Sequence, residues 1–518
     1  MDFFRALQKK GLLFSEEQKK AICHVNGPLL VDAGPGSGKT FVIAARTAYL
    51  IKAAHIDPSN ILVITFTRAA ANEMRSRFTD MPGITAEHIK RTGFGTFHAV
   101  YYRMINSYYG RHLNVLDGSK SYAVIKSILR SMGKPSDDDF AGSSLNQVSL
   151  ARASGEDFAN FKPEHFSSAE FSELYRRYQC EKRRMKSIDF DDMIAICNRI
   201  IDTDEGALSL YRRKYRYFLI DEFQDASKAQ FEIIKKLSFP DSNICVVGDD
   251  DQSIYGFRGA SPGCMLEFEN RYAGCTTVIL DKNYRSTANI VEASDRVIAF
   301  NTCRKEKHLN SVREKGVKPF LITPGDEDDE AAFIADTIQA MVKEGASYSD
   351  FAVLYRVRVQ SRPLIDELAG RNIPFNLREG MNNFYTHWIC SDITCYLKLS
   401  VKAGDAKSLF RIVNRPNRHI DGSILNRALA NIKAGNHDLL SSFADSAIRD
   451  YQLKSIRRLV GQLNAVKKMS PQQAVIFIRE EIGYQGYVME YCADSGIDFS
   501  ELQFIFDGYQ MSSSKFTS

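Results

Sequence analysis

A chain of 518 residues exceeds what one hydrophobic core can organise and is expected to form about three or four compact units. Its 44% hydrophobic and 25% charged content is that of an ordinary globular protein and excludes disordered and fibrous classes. A net charge of +5 permits nucleic-acid binding without arguing for it.

Along the chain, short apolar runs alternate with helical stretches. "PLLVDAG" (28–34), "ILVITFT" (61–67), "YFLIDEFQD" (217–225), "ICVVGDD" (244–250) and "TTVILDKN" (276–283) read as strands. Continuous apolar strands separated by helices predict an α/β fold with a parallel sheet covered on both faces. Between the second and third strands, much of the span from Tyr101 to Arg184 reads as helices and polar loops, an inserted helical subdomain. A second α/β series starts after Asn301: strands at "KPFLITP" (318–324), "FAVLYR" (351–356) and "IPFNLRE" (373–379), with an acid-led helix at "DEDDEAAFIADTIQAMVKEG". From about Asp392 the pattern is helical again.

The cysteines Cys23, Cys180, Cys197, Cys245, Cys264, Cys275, Cys303, Cys390, Cys395 and Cys492 form no CxxC pair and suggest neither a zinc site nor a disulfide framework. Cys245 and Cys197 lie in apolar runs as buried free thiols, which fits a reducing cytoplasm. No apolar run approaches the roughly 18 residues of a membrane span, and the start carries no long apolar leader, so neither export nor a membrane span is expected.

"LLVDAGPGSGKT" places a glycine-rich turn between an apolar strand and an apolar-periodic helix. In the loop from Gly34 through Pro35 to Gly38, the backbone N–H groups of Gly34, Gly36, Ser37 and Gly38 suit a triphosphate at a helix N-terminus, Lys39 can reach its β and γ phosphates, and Thr40 can ligate magnesium. The pattern starts with Ala33 where its strict form has glycine. "YFLIDEFQD" supplies the acids such a loop requires: Asp221 to hold magnesium, Glu222 to orient or deprotonate the attacking water. Together they predict a nucleotide triphosphatase. The stretch "VVGDDDQSIYGFRGA" crowds three acids, a glutamine, two aromatic rings and an arginine into one loop. Acids suit a metal-bound phosphate, whereas rings beside arginine suit bases, so this loop is expected to touch two ligands. Basic clusters at 176–186 and 212–216 could track phosphates or form solvated helix faces.

In order and wording these motifs resemble superfamily 1 DNA helicases of the UvrD/Rep/PcrA type. The likeness runs over roughly residues 12 to 420, through "FSEEQKKAI", "AGPGSGKT", "ITFTRAAANEMRSR", "GTFHAVYYRMI", "IDFDDMI", "LIDEFQDASKAQ", "GDDDQSIYGFRGA", "LDKNYRSTANIV", "FAVLYRVRVQSR" and "SLFRIVNRPNR". The resemblance implies a RecA-like P-loop domain at 1–100 and 187–285 with a helical insertion at 101–186. It further implies a second, incomplete RecA-like domain at 286–385 and part of a helical insertion at 386–518. It implies that Gln18 reads the adenine edge, although Ser15 and Gln18 also form an S-x-x-Q capping box. Tyr284 stacks on the base, and Gln252 and Arg285 contact the γ-phosphate. Tyr255, Phe257 and Arg258, with Phe66, Phe97, His98 and Phe190, face single-stranded DNA. For the last four, buried packing is an alternative.

The activity so implied is an ATP-dependent, magnesium-requiring, cytoplasmic 3′ to 5′ DNA translocase and helicase of repair, replication or recombination. It would act on single strands and duplex junctions, with repair or replication proteins as partners. The sequence departs from that family in several places. Phe257 stands where tryptophan is common, "NRPNRHID" replaces "RGIG", and "REGMNNFYTHWICSD" lacks the usual charge pattern. No motif of the "TxHxxKGLE" or "YVAxTRA" type occurs. Three expectations follow: a fragment of a longer helicase, a protein completed by a partner chain, or a nucleotide-gated DNA-binding protein without autonomous unwinding.

Overall fold

The computed structural model describes residues 3–136, 138–153, 161–256, 259–302, 304–357, 360–377, 385, 387–434, 438–443, 448–495 and 499–514. The chain divides into two compact units, Met1–Phe320 and Leu321–Ser518.

The first unit is built on six parallel strands. These are β1 (Leu29–Ala33), β2 (Ile61–Thr65), β3 (Gly93–Thr96), β4 (Tyr217–Ile220), β5 (Ile244–Gly248) and β6 (Thr276–Leu280), in the spatial order β3-β2-β4-β5-β1-β6. All five expected strands of this sheet form. The four central ones are buried at every position, because alternate side chains enter two different cores. Leu30, Leu62, Ile64, Phe218, Ile220 and Val246 pack on one face; Leu29, Val31, Val63, Leu219 and Val247 pack on the other. The edge strand β3, "GFGT", was not among the expected strands: two glycines in four residues carry little β propensity, and pairing to β2 makes it a strand.

Helix α1 (Glu16–Cys23) precedes β1, and α2 (Lys39–Lys52) follows it. Helix α3 (Phe97–Tyr109) lies against the sheet: Tyr101, Met104 and Ile105 sit in its core, and the Tyr101 hydroxyl donates to the Gln230 carbonyl at 3.0 Å. The expected insertion boundary at Tyr101 thus falls inside this helix, whose Tyr101, Met104 and Ile105 pack with the sheet. Helices α4 (Gly118–Ser131), α5 (Asp138–Ala153) and α6 (Ser168–Arg184) surround a separate core that includes Ile125, Leu129, Phe140, Phe171 and Leu174. Helix α7 (Phe190–Thr203) returns to the sheet, and α8 (Ala288–Ile298) follows β6. A two-residue parallel pair, Lys282–Asn283 with Asn310–Ser311, closes the segment after β6.

In the second unit, α9 (Glu327–Lys343) begins on an Asp326 cap with four acids in its first turn, and packs with α10 (Ser361–Gly370) around Ala335, Ile338, Leu368 and Ile373. Among the described residues no strand forms at 318–324, 351–356 or 373–377, and 378–379 lie outside them. Among the described residues these runs have no ladder partner, and Leu321 and Leu354 are each 93% exposed. A strand run acquires its structure from neighbours on the sheet, and apolar content alone does not supply them. From α11 (Trp388–Val401) onward the unit is helical, as expected, with one large core running from Trp388 to Phe506. Cys197 and Cys245 are buried free thiols. No helix among the described residues is long and apolar enough to cross a membrane.

Candidate nucleotide and nucleic-acid site

The P-loop leaves β1 at Ala33 and enters α2 at Lys39. Gly36 and Gly38 hold φ of +70° and +86°, the left-handed region that favours glycine. A Cβ on Gly36 would also meet Asn283 and Arg285 at 2.8–3.0 Å, so the turn is shaped by the segment after β6 as well as by its own backbone. That segment grips it: Asn283 Nδ2 donates to the Pro35 carbonyl at 2.7 Å, and the Tyr284 N–H donates to the Gly36 carbonyl at 3.0 Å. Asn283 Oδ1 meanwhile accepts from the Arg285 and Ser286 amides, so one buried side chain holds two loops. Within the loop, the Ser37 hydroxyl donates to the Gly34 carbonyl at 2.7 Å.

Gln18 forms the expected capping box and also reaches the P-loop. Its backbone N–H donates to the Ser15 hydroxyl and its Oε1 accepts from the Ser15 N–H, completing the capping box. Its Nε2 donates to the Ser37 carbonyl at 2.9 Å. One amide proton and one Oε1 lone pair remain, the donor and acceptor an adenine edge needs.

Lys39 is buried, with its ammonium 3.4 Å from the Ala33 carbonyl and 3.9 Å from Glu222 Oε2. The Thr40 hydroxyl donates to Asp221 Oδ2 at 3.5 Å. Asp221 follows β4 and is 2% exposed; burial, and then the charge of Glu222, push its carboxyl up to about 7. Glu222 takes a left-handed φ of 50°, costly for a non-glycine residue, which turns its carboxylate toward Lys39. Three residues on, burial and Glu222 push Asp225 up to about 6, and its Oδ1 is buried without a partner. Three acids around one lysine, two of them disfavouring charge, form a place that a divalent cation would stabilise.

Gln224 carries the connection onward. Its Nε2 donates to Glu222 at 2.9 Å, and its Oε1 accepts from the Asp249 N–H at 3.1 Å. Gln252 donates to Asp249 Oδ2 at 2.7 Å, so it stands on the acidic loop after β5. A few residues beyond, the Tyr255 ring stacks on Phe66, at the end of β2, with centroids 5.4 Å apart and planes 25° apart. The His98 ring meets Phe190 edge-on at 5.2 Å, Phe190 is partly exposed, and burial holds His98 below an ordinary imidazole. These four side chains pair as two aromatic contacts formed by residues that follow β2, β3 and β5 and by the first residue of α7.

Phe97 does not join them. It is 2% exposed and packs with Tyr101 in the core below the sheet, so it cannot stack on a base. Phe257 and Arg258 lie outside the described residues. Tyr284 and Arg285 are exposed beside the P-loop. Many charges of the basic clusters are paired with acids: Arg176 and Arg177 bind Glu173, Arg184 binds Glu181, Arg216 binds Asp241, and the buried Lys182 binds Asp189 and Asp192. That pairing favours solvated helix faces over a phosphate track. In "NRPNRHID" the arginines point inward, Arg415 to the fully buried Asp392 at 2.8 Å and Arg418 to backbone carbonyls.

Four side chains that link these loops were not expected: Gln224, Asn283, Asp32 and Lys307. Asp32 carried a signal, an acid inside an otherwise apolar strand, which burial permits only with a cation nearby.

Two family descriptions match the chain: the UvrD/REP helicase N-terminal domain over residues 14–273 and the UvrD-like helicase C-terminal domain over residues 278–482. YjcD of Bacillus subtilis is 32% identical over 478 residues, which cover 91% of this chain and 63% of that protein. The ATP-dependent DNA helicase PcrA of Staphylococcus epidermidis is 32% identical over 474 residues, 90% of this chain and 64% of its own length. PcrA of Staphylococcus aureus gives 32% over 473 residues. The chain thus spans a little under two thirds of the length of these relatives. With a P-loop sheet whose acidic and aromatic loops stand in the order these families require, the chain belongs to the UvrD/REP helicase family.

Proposed function

We propose that the chain is the nucleotide-binding and strand-gripping part of an ATP-dependent DNA helicase, a translocase of 3′ to 5′ polarity that couples ATP hydrolysis to movement on single-stranded DNA. The observation that carries this is one continuous path, an ion pair from Lys39 to Glu222 and then hydrogen bonds through Gln224 and Asp249 to Gln252, from the P-loop to the loop that presents the Tyr255 ring. The name of the PcrA relatives supports the same activity.

In this reading Gln18 reads the adenine and Tyr284 stacks on it, and the amides of Gly34 to Gly38 hold the phosphates. Lys39 and Arg285 offset the charge that develops during phosphoryl transfer, which needs positioning and electrostatics more than covalent help. Thr40 and Asp221 would hold magnesium, which supplies charge neutralisation at the phosphates. Glu222 orients and deprotonates the attacking water, and Gln252 senses the γ-phosphate. Phe66, Tyr255, His98 and Phe190, with Phe257 and Arg258, grip the strand; stacking tolerates any base, so a ring releases one and accepts the next. Cytoplasmic placement belongs to the same proposal.

Steady-state turnover with and without a single-stranded oligonucleotide tests it. A motor is stimulated by the strand; unchanged turnover would leave a passive nucleotide-gated binder. Lys39→Ala should lower ATP affinity in isothermal titration at least about tenfold, the least expected for a lost charge-assisted contact, and undiminished affinity removes the P-loop assignment.

A further inference from the structure

Asp32, Asp249 and Asp250 place carboxylate oxygens within 4.8 Å of one another, and all three are buried. Three like charges at that spacing repel unless a cation lies among them. The Lys307 ammonium fills the position, 2.9 Å from Asp32 and 2.7 Å from Asp249, in contact with Asp250 and 3.6 Å from Asp251. Burial alone would lower that ammonium, yet Asp249, Asp250 and Asp32 hold it above an ordinary lysine. The segment bearing Lys307 is anchored on both sides. Arg304 binds Asp251 through two bonds of 2.8 Å, the Lys305 N–H donates to Asp250 at 2.7 Å, and Leu309 lies where a Cβ on Gly34 would stand, 2.2 Å away.

The placement of this cage gives it a mechanical consequence. The parallel ladder between β1 and β5 ends with Asp32 opposite Gly248. Immediately beyond, β1 becomes the P-loop and β5 becomes the loop leading to Gln252 and Tyr255. The backbone no longer ties the two there, and the shared ammonium does. Lys307, Pro35, Gln252 and Leu309 also line one cavity of about 490 Å³ beside the P-loop.

We propose that Lys307 is a positioning residue that transmits occupancy of the P-loop to the DNA-gripping loop, by clamping the P-loop end of β1 to the acidic loop after β5. The assignment rests on the proposed function, because it requires nucleotide and strand to bind the same unit. A coupling claim needs a coupling measurement, and reciprocity allows it to be read from either ligand.

The measurement is the affinity of the full chain for a fluorescent thymidine oligonucleotide, with and without a non-hydrolysable ATP analogue; the ratio of the two is the coupling. In the wild-type chain the ratio should differ from one by about fivefold or more, the usual size of such couplings. Lys307→Met should bring it to near one while each ligand alone still binds, and Lys307→Arg, which keeps the charge, should restore it. A purely structural lysine would weaken both ligands together and leave the ratio intact, and that result overturns the proposal. Should Lys307→Met not fold, Asp32→Asn/Lys307→Gln removes one charge of each sign: a folded, uncoupled double variant supports the clamp, and a folded, coupled one overturns it. A wild-type ratio of one refutes the proposed gating itself, a different failure from wild-type coupling that survives in Lys307→Met.

Discussion

The chemistry of Asp221 is set by its surroundings. Its carboxyl is nearly sealed from solvent and faces the Glu222 carboxylate, and Lys39, the Glu222 backbone N–H and the Thr40 hydroxyl offset that only in part. An acid whose pKa is higher in the folded than in the unfolded chain holds its proton more tightly when folded. Its contribution to stability is therefore fully present below about 4, the unfolded value, and is lost as pH rises through about 7. Thermal unfolding of the metal-free chain followed against pH should show this as a decline over that window, and Asp221→Asn should lack it. The informative quantity is the wild-type minus variant difference, since other acids titrate in the same range; a difference independent of pH would mean that Asp221 is ionised and better satisfied than its burial indicates. The motif legible in the sequence named Asp221 and Glu222 but not Asp225 or Gln224, because "DEFQD" reports spacing along the chain and not which side chains a left-handed turn at Glu222 drives inward.

At the scale of elements, the strand ends decide which aromatic rings are available to bases. Phe66 follows β2 and stacks on Tyr255 from the loop after β5, whereas Phe97 opens α3 and turns into the core. Tyr255→Ala should therefore weaken single-stranded DNA binding by about 1–3 kcal/mol, the value of one base stack, with ATP affinity little changed. Phe97→Ala should instead lower the stability of the first unit by about 3–5 kcal/mol, the cost of emptying a core aromatic site. Fluorescence anisotropy and denaturant titration separate the two, and a DNA-specific loss in Phe97→Ala would return that ring to the groove. The central strands β1, β2, β4 and β5 were legible because burial on both faces leaves an uninterrupted apolar run. The runs at 351–356 and 373–377 carry a similar pattern without ladder partners among the described residues, which composition cannot report. Lys307 was illegible for a related reason: 275 residues separate it from Asp32, and "RKEKHLN" reads as one more solvated charge run until the fold closes around it.

At the scale of the whole molecule, the division after Phe320 places every proposed nucleotide contact, from Gln18 to Arg285, in one unit. That unit holds both sheet-face cores and the core of the insertion, while the second holds the helical core from Trp388 to Phe506 and the smaller one around Ala335. A ligand that binds only the folded form of one unit stabilises that unit by mass action, about 2.7 kcal/mol at a hundred times its dissociation constant. For a body of this size the gain corresponds to a shift of about 4 °C. Calorimetry of the chain should accordingly resolve two transitions, with magnesium-ATP analogue raising the one that Phe97→Ala lowers and leaving the other in place. Lys39→Ala should abolish the shift without moving either transition in the absence of nucleotide by more than a degree or two. If both transitions rise together with nucleotide, binding energy reaches the second unit as well, and the first unit is not the sole holder of the nucleotide.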